Sequence, residues 1–132
     1  MPTATLYEEV GGMPFFEQLV DRFYRGVRDD PVLLPLYPDQ VDFTSARRRL
    51  TLFLVQYWGG PTTYLEERGH PRLRARHSPF DIGILERDRW LAHMHAAIDT
   101  ADAPAVAKER LHAYMTIAAD AMRNRDEEPA AV

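Results

Sequence analysis

The chain has 132 residues, 45% of them hydrophobic and 27% charged, proportions of one globular domain that exclude disorder, collagen and coiled coil. A formal net charge of -4 provides no general field for nucleic acid, and the longest apolar run, Leu50 to Val55 interrupted by Thr51, is too short to span a bilayer. With no cysteine there is no disulfide framework, thiolate nucleophile, iron–sulfur site or cysteine-zinc site, so any metal chemistry must run through the histidines or the carboxylates.

The opening Met1-Pro2-Thr3-Ala4-Thr5 has neither a basic segment nor an apolar stretch of signal-peptide length, which makes the cytoplasm the expected location. From there on, hydrophobic spacing follows the helical period nearly everywhere. Thr5 followed by Glu8 reads as a capping box opening a short helix that Gly11-Gly12 stops. From Pro14, a good first-turn residue, Phe16, Leu19, Val20, Phe23, Tyr24 and Val27 fall on one stripe of a helix about four turns long. Asp29-Asp30-Pro31 breaks that helix, a short apolar turn runs from Val32 to Tyr37, and Pro38-Asp39 ends the turn. The next helix is expected over roughly Phe43 to Trp58. It reads as sharply amphipathic, with Ala46, Leu50, Phe53, Leu54 and Tyr57 inside about a 100° arc and Arg48 pointing away.

After Gly59-Gly60-Pro61 the period is lost until about Pro79. Arginines are frequent there and Gly69, Pro71 and Pro79 interrupt, so the stretch reads as one long loop, a place where function concentrates. A third amphipathic helix carries Trp90, Leu91, Met94, Ala97 and Ile98 and ends near Thr100. A fourth, after Pro104, sets Ala107, Leu111, Tyr114, Met115, Ala118 and Met122 on one face. The tail from Asp126 to Val132 has no period and is expected to fray. The architecture expected is all-α, one domain over 1–132 with an ordered core from about 5 to 124 and a tail at 125–132.

Polar-tipped aromatics in apolar stripes are the informative oddity. Tyr24, Tyr57, Trp90 and Tyr114 each bring a hydrogen-bonding group to a face that otherwise reads as core, and Tyr37 sits in the short turn. Such tips either reach the rim or a carbonyl, or converge on one cavity as donors; spacing leaves both open. His93 and His95 border the third helix's stripe and His112 the fourth's, positions that suit boundary residues. No HExxH motif or i, i+4 histidine pair points to zinc. His77 differs, because a short turn before Pro79-Phe80 can aim one imidazole at the core.

Three runs carry a family likeness: Tyr57-Trp58-Gly59-Gly60-Pro61, Arg68-Gly69-His70-Pro71-Arg72-Leu73-Arg74-Ala75-Arg76-His77-Ser78-Pro79-Phe80, and Glu86-Arg87-Asp88-Arg89-Trp90-Leu91. With Gly11-Gly12, Arg22-Phe23-Tyr24 and Tyr37-Pro38 in the same order and spacing, the chain resembles the bacterial group II truncated haemoglobins, particularly the actinobacterial ones, over about residues 5 to 124. The resemblance implies a two-over-two helical sandwich around one haem b. His77 matches the iron's proximal ligand, its other ring nitrogen donating to a carbonyl. Tyr24, Tyr37 and Trp90 match the polar trio on the opposite side. Ala46 matches the position where many globins place a distal histidine or glutamine, leaving ligand entry open past a methyl, with Trp90 as a restriction. Leu50 matches the residue overhanging the iron, Phe23, Phe53 and Phe80 are implied as haem contacts, and Arg49 and Arg76 as partners of propionates.

The function so implied is binding of O2, and of NO, CO or peroxide, at His-ligated iron, for redox chemistry or oxygen scavenging rather than bulk transport. O–H and N–H donors stabilise the superoxide-like charge of bound O2; at roughly 1 kcal/mol each, three would slow its release by about two orders of magnitude. NO dioxygenase and peroxidase-like chemistry are the enzymatic forms, the latter disfavoured by the lack of a distal acid–base histidine. An unidentified reductase is then an expected partner and a homodimer an allowed one. Ligand sensing, oxygen carriage or storage, and a haem-free helical adaptor are the readings from other classes.

Overall fold

At the start of the described chain the Thr5 hydroxyl accepts the Glu8 amide at 3.1 Å while the Glu8 carboxylate accepts the Thr5 amide at 2.9 Å, a closed capping box that opens α1 (Leu6–Glu9). The computed structural model describes residues 4–37 and 43–124; the turn end expected at Pro38-Asp39 and the tail expected from Asp126 lie outside them. Helix α2 (Met13–Arg28) begins with Pro14 in its first turn, and Phe16, Leu19, Val20, Phe23, Tyr24 and Val27 are all buried, as the stripe predicts. Asp30 then takes the amides of Val32 and Leu33 on its Oδ1, at 2.8 and 3.3 Å, and so starts the turn that becomes a single 3-10 turn over Leu34–Leu36.

Helix α3 (Thr44–Tyr57) departs from the single stripe expected of it. Ala46 and Leu54 are buried, but so are Thr51, Leu52 and Val55, and Tyr57 is 51% exposed. The helix packs on α2 along one side and borders a cavity along another, so two apolar faces are mixed in one period. The segment after Pro61 is not the long loop expected. It contains α4 (Thr63–Arg68) and α5 (Leu73–His77), each too short to leave a period in the sequence. Helices α6 (Ile84–Asp99) and α7 (Ala105–Ala121) complete the chain, with Met94, Ala97, Ile98, Leu111 and Met115 buried between them and α2. No strand occurs among the described residues. The main contacts are α2 on α3, α6 on α7, and α2 on α6, which makes two layers of two long helices. No described helix is long and apolar enough to cross a membrane.

The junction after α3 locks the first helix in place. The Gly60 amide reaches the Val55 carbonyl at 2.8 Å and the Gly59 amide reaches Gln56 at 3.2 Å, with Gly59 at φ +103°, the paired bonds of a Schellman stop. The Trp58 carbonyl, freed by this stop, accepts the Tyr7 amide at 3.0 Å, and a Cβ on Gly59 would stand 2.6 Å from the Thr5 side chain. Gly59→Ala is therefore expected to lower stability by roughly 1–3 kcal/mol, through left-handed strain and displacement of α1, as a fall in the urea midpoint at unchanged m.

Candidate functional site

A cavity of about 410 Å³ lies between α2, the 3-10 turn, α3 and the ends of α6 and α7, with α4 and α5 closing it. Tyr24, Tyr37, Ala46, Arg49, Leu50, Phe53, Arg76, His77, Phe80 and Trp90 all line it, as does Tyr114. Of the expected contacts, Phe23 stands apart. It is fully buried behind the wall, its ring 4.9 Å from that of Tyr24 and 5.1 Å from that of Trp90, so it supports the lining residues without facing the space. Tyr57 is half-exposed and packs its ring on Tyr114, 4.1 Å away, outside the lining, so the polar-tipped aromatics divide: Tyr24, Tyr37, Trp90 and Tyr114 converge on the cavity and Tyr57 does not. A larger depression, about 830 Å³, runs between α2 and α3, but its lining of Glu17, Asp21, Arg22, Arg25, Arg47, Arg48 and small or aliphatic residues contains no aromatic ring or imidazole.

On the α5 side, His77 Nδ1 lies 2.6 Å from the Leu73 carbonyl. A carbonyl can only accept, so Nδ1 carries the proton and the neutral ring keeps its lone pair on Nε2. His77 is the one imidazole among the described lining residues, and no group of three or more His, Asp or Glu side chains among those residues is placed to hold a metal ion by itself. Two side chains fix this short helix from outside. Arg76 donates through Nε to the Pro71 carbonyl at 2.6 Å and through Nη2 to the carbonyls of Arg68 and His70 at 2.8 and 3.3 Å. Asn124 donates to the carbonyls of His77 and Phe80 at 3.1 and 2.6 Å and accepts the Ile82 amide at 2.9 Å. Arg76 thus braces the His77 segment; Arg49 and Arg68 add positive charge to the lining, whereas Arg87 there is paired with Asp88 and Asp120 at 2.9 and 2.6 Å.

On the other side, rings form a close-packed set. Tyr24 and Tyr37 meet edge to face at 5.5 Å, and Phe43 stacks on Tyr24 at 5.1 Å while meeting Tyr37 edge-on at 5.6 Å. Phe43 achieves this only by adopting the left-handed backbone, φ 57°, as the cap of α3. Sequence reading misses its role, because a phenylalanine at a helix boundary carries no sign of that conformation. Tyr64 and Leu73 were hidden by the same loss of period that concealed α4 and α5.

Burial pushes the Tyr24 hydroxyl well above its ordinary pKa, and the neighbouring Tyr37, by charge and by hydrogen bonding, pushes it further. Burial also raises Tyr37, to about 12, against hydrogen bonding with Tyr24 and Trp90 that pulls it down. The Tyr24 and Tyr37 hydroxyls thus share a hydrogen bond, and the Trp90 indole N–H, which can only donate, serves the Tyr37 oxygen. Tyr37 keeps its proton in the fold to about 12, and an unfolded tyrosine releases it near 10.0, so its contribution is complete below that lower value and is lost as pH rises between the two. Tyr37→Phe is expected to flatten the alkaline fall of stability by about 2–3 kcal/mol between those limits, read from urea midpoints across the pH series.

The sequence pattern of the bacterial-like globin family matches residues 5–124. Group 2 truncated hemoglobin YjbI of Bacillus subtilis is 41% identical over 121 residues, 92% of this chain and 89% of that protein. A thermostable hemoglobin of the actinobacterium Thermobifida fusca superposes with a TM-score of 0.88 at 56% identity, covering 92% of this chain and 98% of that one. The group II truncated hemoglobin of Bacillus anthracis gives 0.91 at 38% identity, with both chains fully covered. With this family pattern spanning nearly all the described residues, 41% identity to YjbI over 92% of the chain and superpositions at TM-scores of 0.88 and 0.91, the chain belongs to the bacterial-like globins and, among them, to the group II truncated haemoglobins.

Proposed function

We propose that this protein holds one haem b through His77 and binds O2 and other small ligands beside Tyr24, Tyr37 and Trp90, for redox chemistry or oxygen scavenging rather than transport. The observation that carries the reading is the His77 tautomer. With Nδ1 committed to Leu73 at 2.6 Å, the neutral ring keeps its lone pair on Nε2, the form in which an imidazole would ligate iron. The donor set around it fits the same group. Ala46, Leu50, Phe53 and Phe80 supply apolar wall, and the arginines Arg49 and Arg76 suit the carboxylates of such a ring. The volume of about 410 Å³ is in the range of cofactor sites.

When bound, haem would supply an iron centre that takes up small ligands such as O2, NO, CO or peroxide and exchanges electrons with those that are redox-active. The chain's own residues supply the rest. Apolar side chains exclude water, and exclusion strengthens each hydrogen bond made inside. Tyr37 accepts from the Trp90 indole and shares a hydrogen bond with Tyr24, so the linked phenols can present a proton to a ligand, and polarisation along the network makes that donor stronger. Because both phenols hold their protons far above neutrality, they remain donors under physiological conditions. Donors of this kind favour a ligand that accumulates negative charge over one that does not, O2 over CO. Conversion of NO and O2 to nitrate would draw one electron per cycle from a separate reductase, and reduction of peroxide to water would draw two electrons and two protons from a reducing substrate.

Visible absorption of the purified protein, ferric, reduced and CO-treated, tests the reading directly. The expected result is a band near 400 nm that shifts at each step and is altered or lost in His77→Ala; a colourless chain that stays colourless with added hemin overturns it. In the loaded protein, Tyr24→Phe and Trp90→Phe are each expected to speed O2 release about five-fold, and Tyr37→Phe about ten-fold or more, because it removes the hydroxyl that links the other two. Stopped-flow displacement by CO measures all three.

A further inference from the structure

Asp30 is used twice. Its side chain is 1% exposed, yet every donor around it is accounted for. Oδ1 takes the amides of Val32 and Leu33, at 2.8 and 3.3 Å, and Oδ2 takes Arg89 Nε at 3.0 Å and His93 Nε2 at 2.7 Å. The first pair belongs to the turn that ends in Tyr37, whose amide bonds back to Leu34 at 3.1 Å. The second pair belongs to α6, where Arg89 immediately precedes Trp90 and His93 stands one turn later. A turn of this kind needs a single acceptor, which serine or asparagine provides as well. The second oxygen, and the cost of burying a full negative charge, are explained only by the bonds to α6. Although burial by itself would raise the carboxyl's pKa, the bonds from Arg89, His93, Val32 and Leu33 outweigh it and hold the group ionised well below the usual carboxylate range.

The contact is also fitted from beneath. His93 rests on the bare backbone of α2 at Gly26, where an added Cβ would stand 2.3 Å from Nδ1. A ring held flat on α2 at one edge and on Asp30 at the other has little freedom, and it transmits its position to α6.

We propose that Asp30 is a positioning residue that ties the Tyr37 turn to the Trp90 helix, so that the Trp90 indole and the Tyr37 hydroxyl meet in register and Tyr37 is presented to the ligand. The inference rests on the reading of Tyr24, Tyr37 and Trp90 as ligand donors, and it assigns ligand retention in part to a carboxylate that does not line the cavity.

The test is a double-mutant cycle with a spectroscopic partner. Asp30→Asn keeps an acceptor for Val32 and Leu33 but sets an amide N–H2 against Arg89 and His93, so it cuts the α6 arm. With two tryptophans in the chain, the protein gives two indole N–H resonances in 15N-labelled samples, assigned by Trp58→Phe. Asp30→Asn is expected to move the Trp90 resonance, to speed O2 release from the haem-loaded protein about five- to tenfold, and to add nothing to that rate in the Tyr37→Phe background. Gly59→Ala, which lowers stability away from the cavity, is expected to change neither readout. Gly26→Ala displaces His93 with no change of charge and is expected to move the Trp90 resonance in the same direction, which covers the case in which Asp30→Asn does not fold. A Trp90 resonance that stays in place in a folded variant, release effects that add to those of Tyr37→Phe, or the same changes in Gly59→Ala would each overturn the proposal. Failure of the haem reading looks different: no variant, nor the parent, shows a haem band, while the indole resonances still report the tie.

Discussion

Aromatic rings in mutual contact set the spacing on which this fold depends. From Trp90 on α6 the contacts pass to Phe23 and Tyr24 on α2, then to Phe43 at the cap of α3 and Tyr37 at the end of the 3-10 turn, each step between 4.9 and 5.6 Å. Rings have few rotatable bonds and large faces, so a run of them behaves as a spacer that neither collapses nor drifts. Four separate pieces of chain are brought to fixed separations by it. The left-handed Phe43 is part of the same constraint. Such a conformation costs a bulky residue about 1–2 kcal/mol, and burial of the whole ring between two tyrosines offsets that.

The α5 side of the cavity is built by other means. Tyr64 is the only residue that α4 buries, and α5 buries none. Helices of this length do not persist in water on their own. Arg76 and Asn124 compensate by bonding carbonyls at both ends of the His77 segment, and Arg76 lies in addition 6.0 Å from the centre of the Tyr64 ring. One side of the site is therefore held by packing and the other by directional bonds to backbone oxygen.

This division explains what could be read from the sequence. Where packing decides, the period is visible: the α2 stripe, the burial of Met94 and Ile98 on α6 and the capping box at Thr5 are all legible one residue at a time. Where a helix serves two apolar neighbours, the period blurs, and Tyr57 on α3 was placed on the wrong side of the boundary. Where directional bonds decide, there is no period at all, so α4 and α5 read as loop, and the bonds of Arg76 to backbone carbonyls leave no sign in the sequence. Asp30 was legible as a helix breaker beside Asp29, but nothing in a pair of adjacent acids says which one turns inward. The resemblance to a known family supplied His77 and the trio of Tyr24, Tyr37 and Trp90 by position; the geometry adds that these side chains share one cavity and that Phe23 stands behind its wall.

The near absence of burial in α5 has a consequence for how the molecule opens. Denaturants act in proportion to the surface an opening reaction exposes, and release of a helix that buries none of its own residues exposes little beyond its edge of the cavity. Amides of the His77 segment should therefore exchange with solvent through a local fluctuation whose free energy barely responds to urea, separate from the cooperative unit formed by α2, α3, α6 and α7. That fluctuation uncovers one face of the cavity while the two helical layers stay assembled, which makes the segment around His77 a door hung on hydrogen bonds in a frame made of packed rings.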